Sequence, residues 1–180
     1  IGINKLFALH QELNSLLELG ALIGSDVPFC IMGGTALAHG RGEILSPLGE
    51  GPELHMVLVK PDFQISTREI YQAFRLEKVL KSPDTTAFLA AWGNYDMINI
   101  AREMNNVLET VSLEEYPEIA AIKQQLLTAG ALNTLMSGSG PSVFGLFANQ
   151  TAAKEAFMKM RNQYPESFIV SSYRKGENHG

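Results

Sequence analysis

Hydrophobic residues recur with two different periods along this chain. From residue 4 to residue 23 they return every three or four positions, which predicts an amphipathic helix with a break near Gly20. An apolar run at residues 29–37 predicts a strand interrupted at Gly33-Gly34, and a short return strand is predicted at about residues 43–48. The first fifty residues are therefore expected to be a piece of an α+β domain.

A segment rich in proline and glycine, residues 46–52, marks the predicted domain boundary. It separates residues 1–50, the expected residual part of an N-terminal domain, from a second domain at residues 51–180. Beyond the boundary, the hydrophobic period and the turn residues predict the order β-α(α)-β-β-α-β. This order matches a ferredoxin-like split βαβ unit, an α+β fold with helices on one face of an antiparallel sheet. The predicted strands are residues 55–61, 132–136, 142–148 and 168–173; helices are predicted from Ser66, at 117–129 and from Thr151 to 163, with helical or irregular pieces at 83–92 and 96–110.

Composition narrows the function classes. Hydrophobic residues make up 46% and charged residues 18% of the 180 positions, as in a globular enzyme. The net charge of −5 argues against nucleic-acid binding, which needs clustered Lys and Arg, and no apolar run approaches the about 20 residues of a membrane span. The single cysteine, Cys30, lies in an apolar run, which predicts a buried thiol and a cytoplasmic protein without disulfides. The four histidines lack ligand-like spacing, so no metal site is predicted.

A glycine-rich turn, Ser137-Gly138-Ser139-Gly140-Pro141, lies between two predicted strands. A tight hairpin needs only one glycine or an Asn-Gly pair, so this turn contains more small residues than a simple reversal of the chain requires. The absence of bulky side chains would let backbone N–H groups approach an anion closely. On this segment alone, an ordinary hairpin turn and an anion cradle are equally good interpretations.

Two further side chains are candidates for chemistry. Asp26 joins the predicted first helix to an apolar segment, where partial desolvation would suit a catalytic base, although a helix-capping role is commoner in such positions. Residues 66–69, Ser-Thr-Arg-Glu, form a capping box that starts a helix. Tyr71 lies one turn into this helix, where its ring has two interpretations: a stacking surface for a planar ligand, or the more common packing into the core.

Three segments together resemble one family of enzymes, the GHMP superfamily of small-molecule kinases. They are residues 22–29 (Leu-Ile-Gly-Ser-Asp-Val-Pro-Phe), residues 33–43 (Gly-Gly-Thr-Ala-Leu-Ala-His-Gly-Arg-Gly-Glu) and residues 136–144 (Met-Ser-Gly-Ser-Gly-Pro-Ser-Val-Phe). Residues 105–109 and 116–119 also fit the family's middle region, and the similarity extends from about residue 4 to residue 163. The first two segments are similar to the branch that acts on cytidine-diphospho-methylerythritol in the non-mevalonate isoprenoid pathway.

This resemblance implies a specific reaction, the ATP-dependent phosphorylation of the 2-hydroxyl of cytidine-diphospho-methylerythritol, with Mg²⁺ on the nucleotide. In that reaction Asp26 would be the catalytic base that takes the hydroxyl proton. The glycine-rich turn would close on the substrate and the transferring phosphate, and an aromatic residue would stack on the cytosine. The substrate-binding residues implied by the resemblance are Thr67, Tyr71, Gly138, Ser139 and Gly140.

The chain also departs from the family pattern at its start. Family members carry a lysine in an N-terminal strand region, and a Gly-Ser-rich loop that binds the ATP phosphates lies just before the helix with which this sequence opens. This sequence contains neither feature. We therefore expect the chain to be part of a longer protein and to have no kinase activity by itself. Two alternatives stay open: another GHMP kinase, of the mevalonate or homoserine type, and a non-catalytic ligand-binding module. The expected partner is a small molecule, and the resemblance leaves a homodimer open.

Overall fold

Residues 1–172 are described by the computed structural model, and they divide at Gly51 and Pro52 into two units. The predicted second domain, 51–180, and the predicted last strand, 168–173, extend beyond the described residues. The first unit consists of three helices and a hairpin of two antiparallel strands. Its elements are α1 (Gly2–Leu6), α2 (Leu13–Ile23), α3 (Val27–Met32), β1 (Thr35–His39) and β2 (Ile44–Leu48).

The predicted helix over residues 4–23 is wrong in the position of its break. The chain leaves the helix after Leu6, and the side-chain amide of Asn4 holds the loop by exchanging two 3.0 Å hydrogen bonds with the backbone of Gln11. Gly20 lies inside α2 and is buried. A Cβ at Gly20 would come within 2.8 Å of Ile31 Cδ1, so the missing side chain lets α2 and α3 pack closely.

The predicted strand over residues 29–37 is wrong in its first half, which forms helix α3. Pro28 lies in the first turn of this helix, where a missing N–H breaks no hydrogen bond and the fixed φ of proline suits the helix. The helix ends at Met32, before Gly33-Gly34, and only then does strand β1 begin. Cys30 is on the exposed surface of α3, so the expectation of a buried thiol is also wrong.

The second unit is built on a four-stranded antiparallel sheet with the strand order β4-β5-β3-β6. The two central strands are β5 and β3, and the connections β3-α-β4-β5-α9-β6 give the split βαβ arrangement. The predicted α+β class with a ferredoxin-like unit is therefore confirmed. The elements are β3 (His55–Val59), α4 (Thr67–Ala73), a 3₁₀ turn (Leu76–Lys78), α5 (Thr85–Gly93), α6 (Met97–Glu103), α7 (Glu109–Glu115), α8 (Pro117–Thr128), β4 (Asn133–Met136), β5 (Val143–Phe147), α9 (Gln150–Met160) and β6 (Ser167–Ser171).

The core of this unit lies between the sheet and helices α8 and α9. Val57 and Val59, two positions apart on β3, are completely buried on the face that these helices cover. The helices contribute residues at helical spacing, since each buries positions three and then four residues apart. These are Ile119, Ile122 and Leu126 on α8, and Ala153, Ala156 and Met160 on α9.

The helix starts and ends predicted from capping residues agree with the structure, with one exception. Ser66 Oγ accepts a 3.4 Å hydrogen bond from Glu69 N–H, which confirms that α4 begins there. Helix α8 starts at Pro117 and ends just before Gly130, as predicted. Helix α9 is capped by Asn149, whose Oδ1 accepts from Ala152 N–H at 3.0 Å. The predicted cap Thr151 is wrong because an asparagine two residues earlier takes that position.

Candidate functional site

The glycine-rich turn is a six-residue loop, Ser137–Ser142, that joins the neighbouring strands β4 and β5. Ser137 N–H donates to Ser142 O at 2.8 Å and Gly140 N–H donates to Ser137 O at 3.0 Å, so the loop closes on itself. The peptide bond between Gly140 and Pro141 is cis. The loop therefore connects the two strands as a hairpin. Whether it can also bind an anion depends on which of its backbone N–H groups are free to donate.

Two adjacent backbone N–H groups of the loop, those of Gly138 and Ser139, donate to no acceptor within the described residues 1–172. A Cβ built on Gly138 would meet no heavy atom within 4 Å, so this side of the loop is open. Gly138 has a φ of +58°. Neighbouring N–H groups around a left-handed residue form the concave donor arrangement that binds anions. The loop thus has the geometry of an anion cradle as well as that of a hairpin.

Gly140 has the opposite surroundings, because it is packed against the interior. A Cβ there would lie 2.7 Å from Met136 Sδ and 3.4 Å from Ile65 Cδ1, and φ is +89°. Met136 is almost completely buried at 1% exposure, so its flexible side chain can make way only by repacking within the core. Gly140 is therefore required by close packing and by backbone conformation together.

A pair of hydroxyl groups connects the loop to helix α4. Thr67 Oγ1 and Ser139 Oγ are 2.8 Å apart, although 72 positions separate the two residues in the sequence. Tyr71 is four positions after Thr67, so both lie on the same side of α4, one turn apart. The Tyr71 ring is 63% exposed, which rules out the alternative of core packing. Three of the predicted substrate-binding residues, Thr67, Tyr71 and Ser139, are thus brought to one part of the surface.

The base of the loop is held by side chains from residues 106–112. The side-chain amide of Asn106 donates to Met136 O at 2.9 Å and to Gly138 O at 2.7 Å. Glu109 Oε1 accepts from Met136 N–H at 2.7 Å, while its other carboxylate oxygen pairs with Lys123 Nζ. The buried hydroxyl of Ser112 donates to Ser139 O at 3.5 Å.

The sequence pattern alone assigned no role to these supporting residues. It predicted a helical or irregular piece at 96–110, whereas α6 ends at Glu103 and α7 begins at Glu109. The available signal was the pair Asn105-Asn106, because asparagine side chains compete for backbone hydrogen bonds and disfavour a helix interior. Such a pair within an apolar stretch indicates a loop with specific side-chain contacts.

Asp26 belongs to the first unit and precedes α3 at the capping position. Its backbone carbonyl accepts from Cys30 N–H at 3.2 Å, but within the described part of the chain its carboxylate caps no N–H of the helix. The side chain is exposed, so the expected partial desolvation is wrong for this structure. The capping alternative also lacks its hydrogen bond, and the role of Asp26 as a base stays a prediction.

Comparison with known proteins relates both units to one family. The family model of the GHMP kinase C-terminal domain matches residues 88–166, which include α7, α8 and the glycine-rich loop. A curated relative from Syntrophomonas wolfei, named 4-diphosphocytidyl-2-C-methyl-D-erythritol kinase, is 57% identical over 173 residues, 96% of this chain and 61% of the relative. The chain belongs to the GHMP kinase superfamily. The resemblance inferred from the three sequence segments is thereby confirmed.

Further members of the superfamily agree with this assignment. A relative of the same name from Lachnoclostridium phytofermentans is 43% identical over 178 residues, 98% of this chain and 61% of the relative. A crystal structure of 4-(cytidine 5'-diphospho)-2C-methyl-D-erythritol kinase superposes with a TM-score of 0.80 at 27% sequence identity. The superposition covers 94% of this chain and 60% of the chain in the crystal structure. The GHMP kinase chain described here thus spans about three fifths of the length of the relatives it matches.

Within residues 1–172 of this GHMP kinase chain, no group of three or more His, Cys, Asp or Glu side chains is arranged to hold a metal ion. In the same residues, no helix has both the length and the apolar composition needed to cross a membrane.

Proposed function

We propose that the protein containing this chain transfers a phosphoryl group from ATP to the 2-hydroxyl of cytidine-diphospho-methylerythritol, a step of isoprenoid biosynthesis. The observation that carries the proposal is the 2.8 Å contact between the Thr67 and Ser139 hydroxyls, because it joins a helix bearing an exposed aromatic ring to a loop with free N–H groups. A ring for a base and donors for a phosphate are the two features that a nucleotide-linked substrate needs. The names of the curated relatives support the same substrate.

The loop provides the phosphate contacts in this proposal. The N–H groups of Gly138 and Ser139 donate to phosphate oxygens of the substrate or of the transferring group. Hydrogen bonds to a charged acceptor are each worth about 1.5–3 kcal/mol, so two of them fix the position of one phosphate. Gly140 keeps the loop closed through its N–H bond to Ser137 O and its packing against Met136.

Helix α4 provides the base contacts. The cytosine stacks on the exposed Tyr71 ring, an interaction worth about 1–3 kcal/mol per base in other nucleotide-binding proteins. The Thr67 hydroxyl, already paired with Ser139, orients the loop relative to this ring and donates to the substrate when it binds. Both residues therefore determine the choice of substrate rather than the chemical step.

Asp26 is the proposed catalytic base. Phosphoryl transfer needs mainly positioning and charge stabilisation, so a single carboxylate that accepts the hydroxyl proton is sufficient on the acceptor side. The nucleotide supplies the phosphoryl group, and Mg²⁺ neutralises its phosphate charges when bound. The one-cysteine composition favours the cytoplasm as the compartment, and the same proposal leaves the oligomeric state to be measured.

A chimera tests the proposal. This chain replaces the matching 173 residues of the Syntrophomonas wolfei relative, and ADP release is measured with cytidine-diphospho-methylerythritol, mevalonate or homoserine as acceptor. We expect turnover with the cytidyl substrate alone. Preferred turnover of mevalonate or homoserine would contradict the proposed substrate, and absence of turnover with all three would contradict the kinase assignment.

The role of Asp26 is tested in the same chimera. Asp26→Asn keeps the size of the side chain and removes its basicity, so kcat should fall by about 10²–10⁴-fold while the KM for ATP changes little. Glu18→Gln, an equally exposed carboxylate on α2, is the matched control and should change kcat by less than about twofold. An Asp26→Asn chimera with unchanged kcat would limit Asp26 to a structural role.

A further inference from the structure

Asn106 contacts the glycine-rich loop on both sides of Ser137. Its side-chain amide nitrogen donates both hydrogens, one to Met136 O at 2.9 Å and one to Gly138 O at 2.7 Å. Its side-chain oxygen accepts from Leu108 N–H at 3.0 Å, which holds the amide plane in place. The two amide hydrogens and the side-chain oxygen of Asn106 are therefore all hydrogen-bonded, and the two hydrogens hold the loop and its base.

The contact with Gly138 O determines the direction of a neighbouring donor. A trans peptide bond is planar, and its C=O and N–H point in opposite directions. The Gly138–Ser139 peptide has its carbonyl drawn toward Asn106, so the Ser139 N–H is turned away from Asn106 to the open side of the loop.

We infer that Asn106 is a positioning residue that orients the Ser139 N–H toward the bound phosphate. The inference rests on the proposed function, since the phosphate is that of the proposed substrate. Asparagine suits this task because an amide supplies two donors and one acceptor in a single rigid plane, whereas aspartate has no donor and alanine has neither. Glu109 and Ser112 hold other atoms of the same segment, so loss of Asn106 alone would release one peptide and leave the hairpin formed.

Amide exchange in the 180-residue chain tests the positioning without any assay of activity. The reporters are Ser137 N–H and Gly140 N–H, which are hydrogen-bonded inside the loop. In Asn106→Ala and Asn106→Asp, their exchange should accelerate by about tenfold, the effect of losing one hydrogen bond, while the strand amides of β5 stay unchanged. Asn105→Ala is the matched control, because Asn105 donates to Lys81 O at 3.0 Å rather than to the loop.

Kinetics of the chimera test the consequence for the reaction. Asn106→Ala should lower kcat by about tenfold and change the KM for ATP by less than about twofold, whereas Asn105→Ala should leave both within about twofold. A general loss of folding would instead lower the urea unfolding midpoint of Asn106→Ala and accelerate exchange of the β5 strand amides.

The outcomes separate the inference from the proposed function. Loop exchange that is the same in Asn106→Ala as in the unaltered chain would overturn the inference, whatever the chimera does. Faster loop exchange with unaltered kcat would overturn the link to the phosphate. A chimera that is inactive before any substitution contradicts the proposed function, and the exchange rates then still decide whether Asn106 orients the loop.

Discussion

Replacement of Gly140 by alanine is the most direct test of how the glycine-rich loop is built. The new Cβ would lie 2.7 Å from Met136 Sδ, closer than two such atoms approach in folded proteins, and 3.3 Å from Met136 Cγ, which is a tight contact. The backbone at this position also has a φ of +89°, which an L-residue with a side chain rarely adopts. Both effects act in the folded state, so the free energy of unfolding should fall.

The size of the effect follows from two contributions. A non-glycine residue in left-handed conformation costs roughly 1–2 kcal/mol. Extra volume in a well-packed core costs about 1–3 kcal/mol, and the buried but unbranched Met136 side chain can adjust enough to keep this at the lower end. We therefore expect Gly140→Ala to lower the free energy of unfolding by about 2–4 kcal/mol. Gly138→Ala, with φ of +58° and open space around it, should lower it by only about 1–2 kcal/mol.

Urea unfolding followed by tryptophan fluorescence measures the difference. Trp92 is the single tryptophan of the chain, lies in the same unit as the loop and is 7% exposed, so its emission reports the unfolding of that unit. Equal losses of stability in Gly140→Ala and Gly138→Ala would refute the packing argument. A second check uses Met136→Ala as background, in which the extra loss caused by Gly140→Ala should fall to that of Gly138→Ala.

Three further predictions concern side chains outside the loop. Tyr71→Ala should change the free energy of unfolding by less than about 0.5 kcal/mol, because Tyr71 is exposed, but should raise the chimera's KM for the cytidyl substrate by about tenfold. Tyr71→Phe keeps the ring and should retain the low KM. An unaffected KM in Tyr71→Ala would exclude stacking. Burial, and secondarily Glu118, raise the pKa of Tyr164 above 10.0, so its contribution to stability is present below about pH 10 and is lost as the pH rises through the folded-state pKa. Tyr164→Phe should flatten this alkaline decline in urea midpoint. Hydrogen bonds from Asn99 lower the pKa of Asp96 below 3.8, so the ionised carboxylate stabilises the folded state above that pH and this stabilisation is lost on acidification. Asp96→Ala should therefore lower the urea midpoint at pH 7, and the difference from the unaltered chain should disappear in acid.

The sheet of the second unit was predictable from sequence because local signals agree there. Strand β3 is a short apolar run rich in β-branched residues, and β4 and β5 flank a glycine-rich turn. Helix α8 has proline at its first position and glycine just past its end. Each boundary is encoded within a few residues, so no knowledge of distant contacts is needed.

Helix α3 shows why the first unit was harder to predict. Its six residues, Val27–Met32, are all apolar or small, and such a short run fits a buried strand and a short helix equally well. The deciding features are the proline in the first turn and the close approach to Gly20 of α2, and the second of these is a tertiary contact. Exposure of Cys30 follows from the same change, because a helix places the thiol on a different side from its neighbours.

The candidate site was predictable in its glycine turn and not in its supports. The count of small residues at 137–141 indicates a loop of unusual backbone, but the Thr67–Ser139 contact spans 72 positions and has no local signature. Asn106 precedes its loop partner Gly138 by 32 positions, and its neighbour Asn105 has the same side chain with a different partner. Only the folded chain distinguishes the two.

The hydrogen bonds of the loop also determine which charge it can attract. Four consecutive carbonyl groups, from the base of the loop to Ser139, accept hydrogen bonds within the described residues, whereas the N–H groups of Gly138 and Ser139 donate to none. Around Gly138 the loop therefore presents two unpaired donors while the neighbouring carbonyls are occupied, which favours an anion over a cation. An ordinary hairpin turn would not need Asn106 or Ser112 to hold its carbonyls inward, so these two side chains favour the anion cradle over the simple hairpin. The occupied carbonyls are those of Met136, Ser137, Gly138 and Ser139.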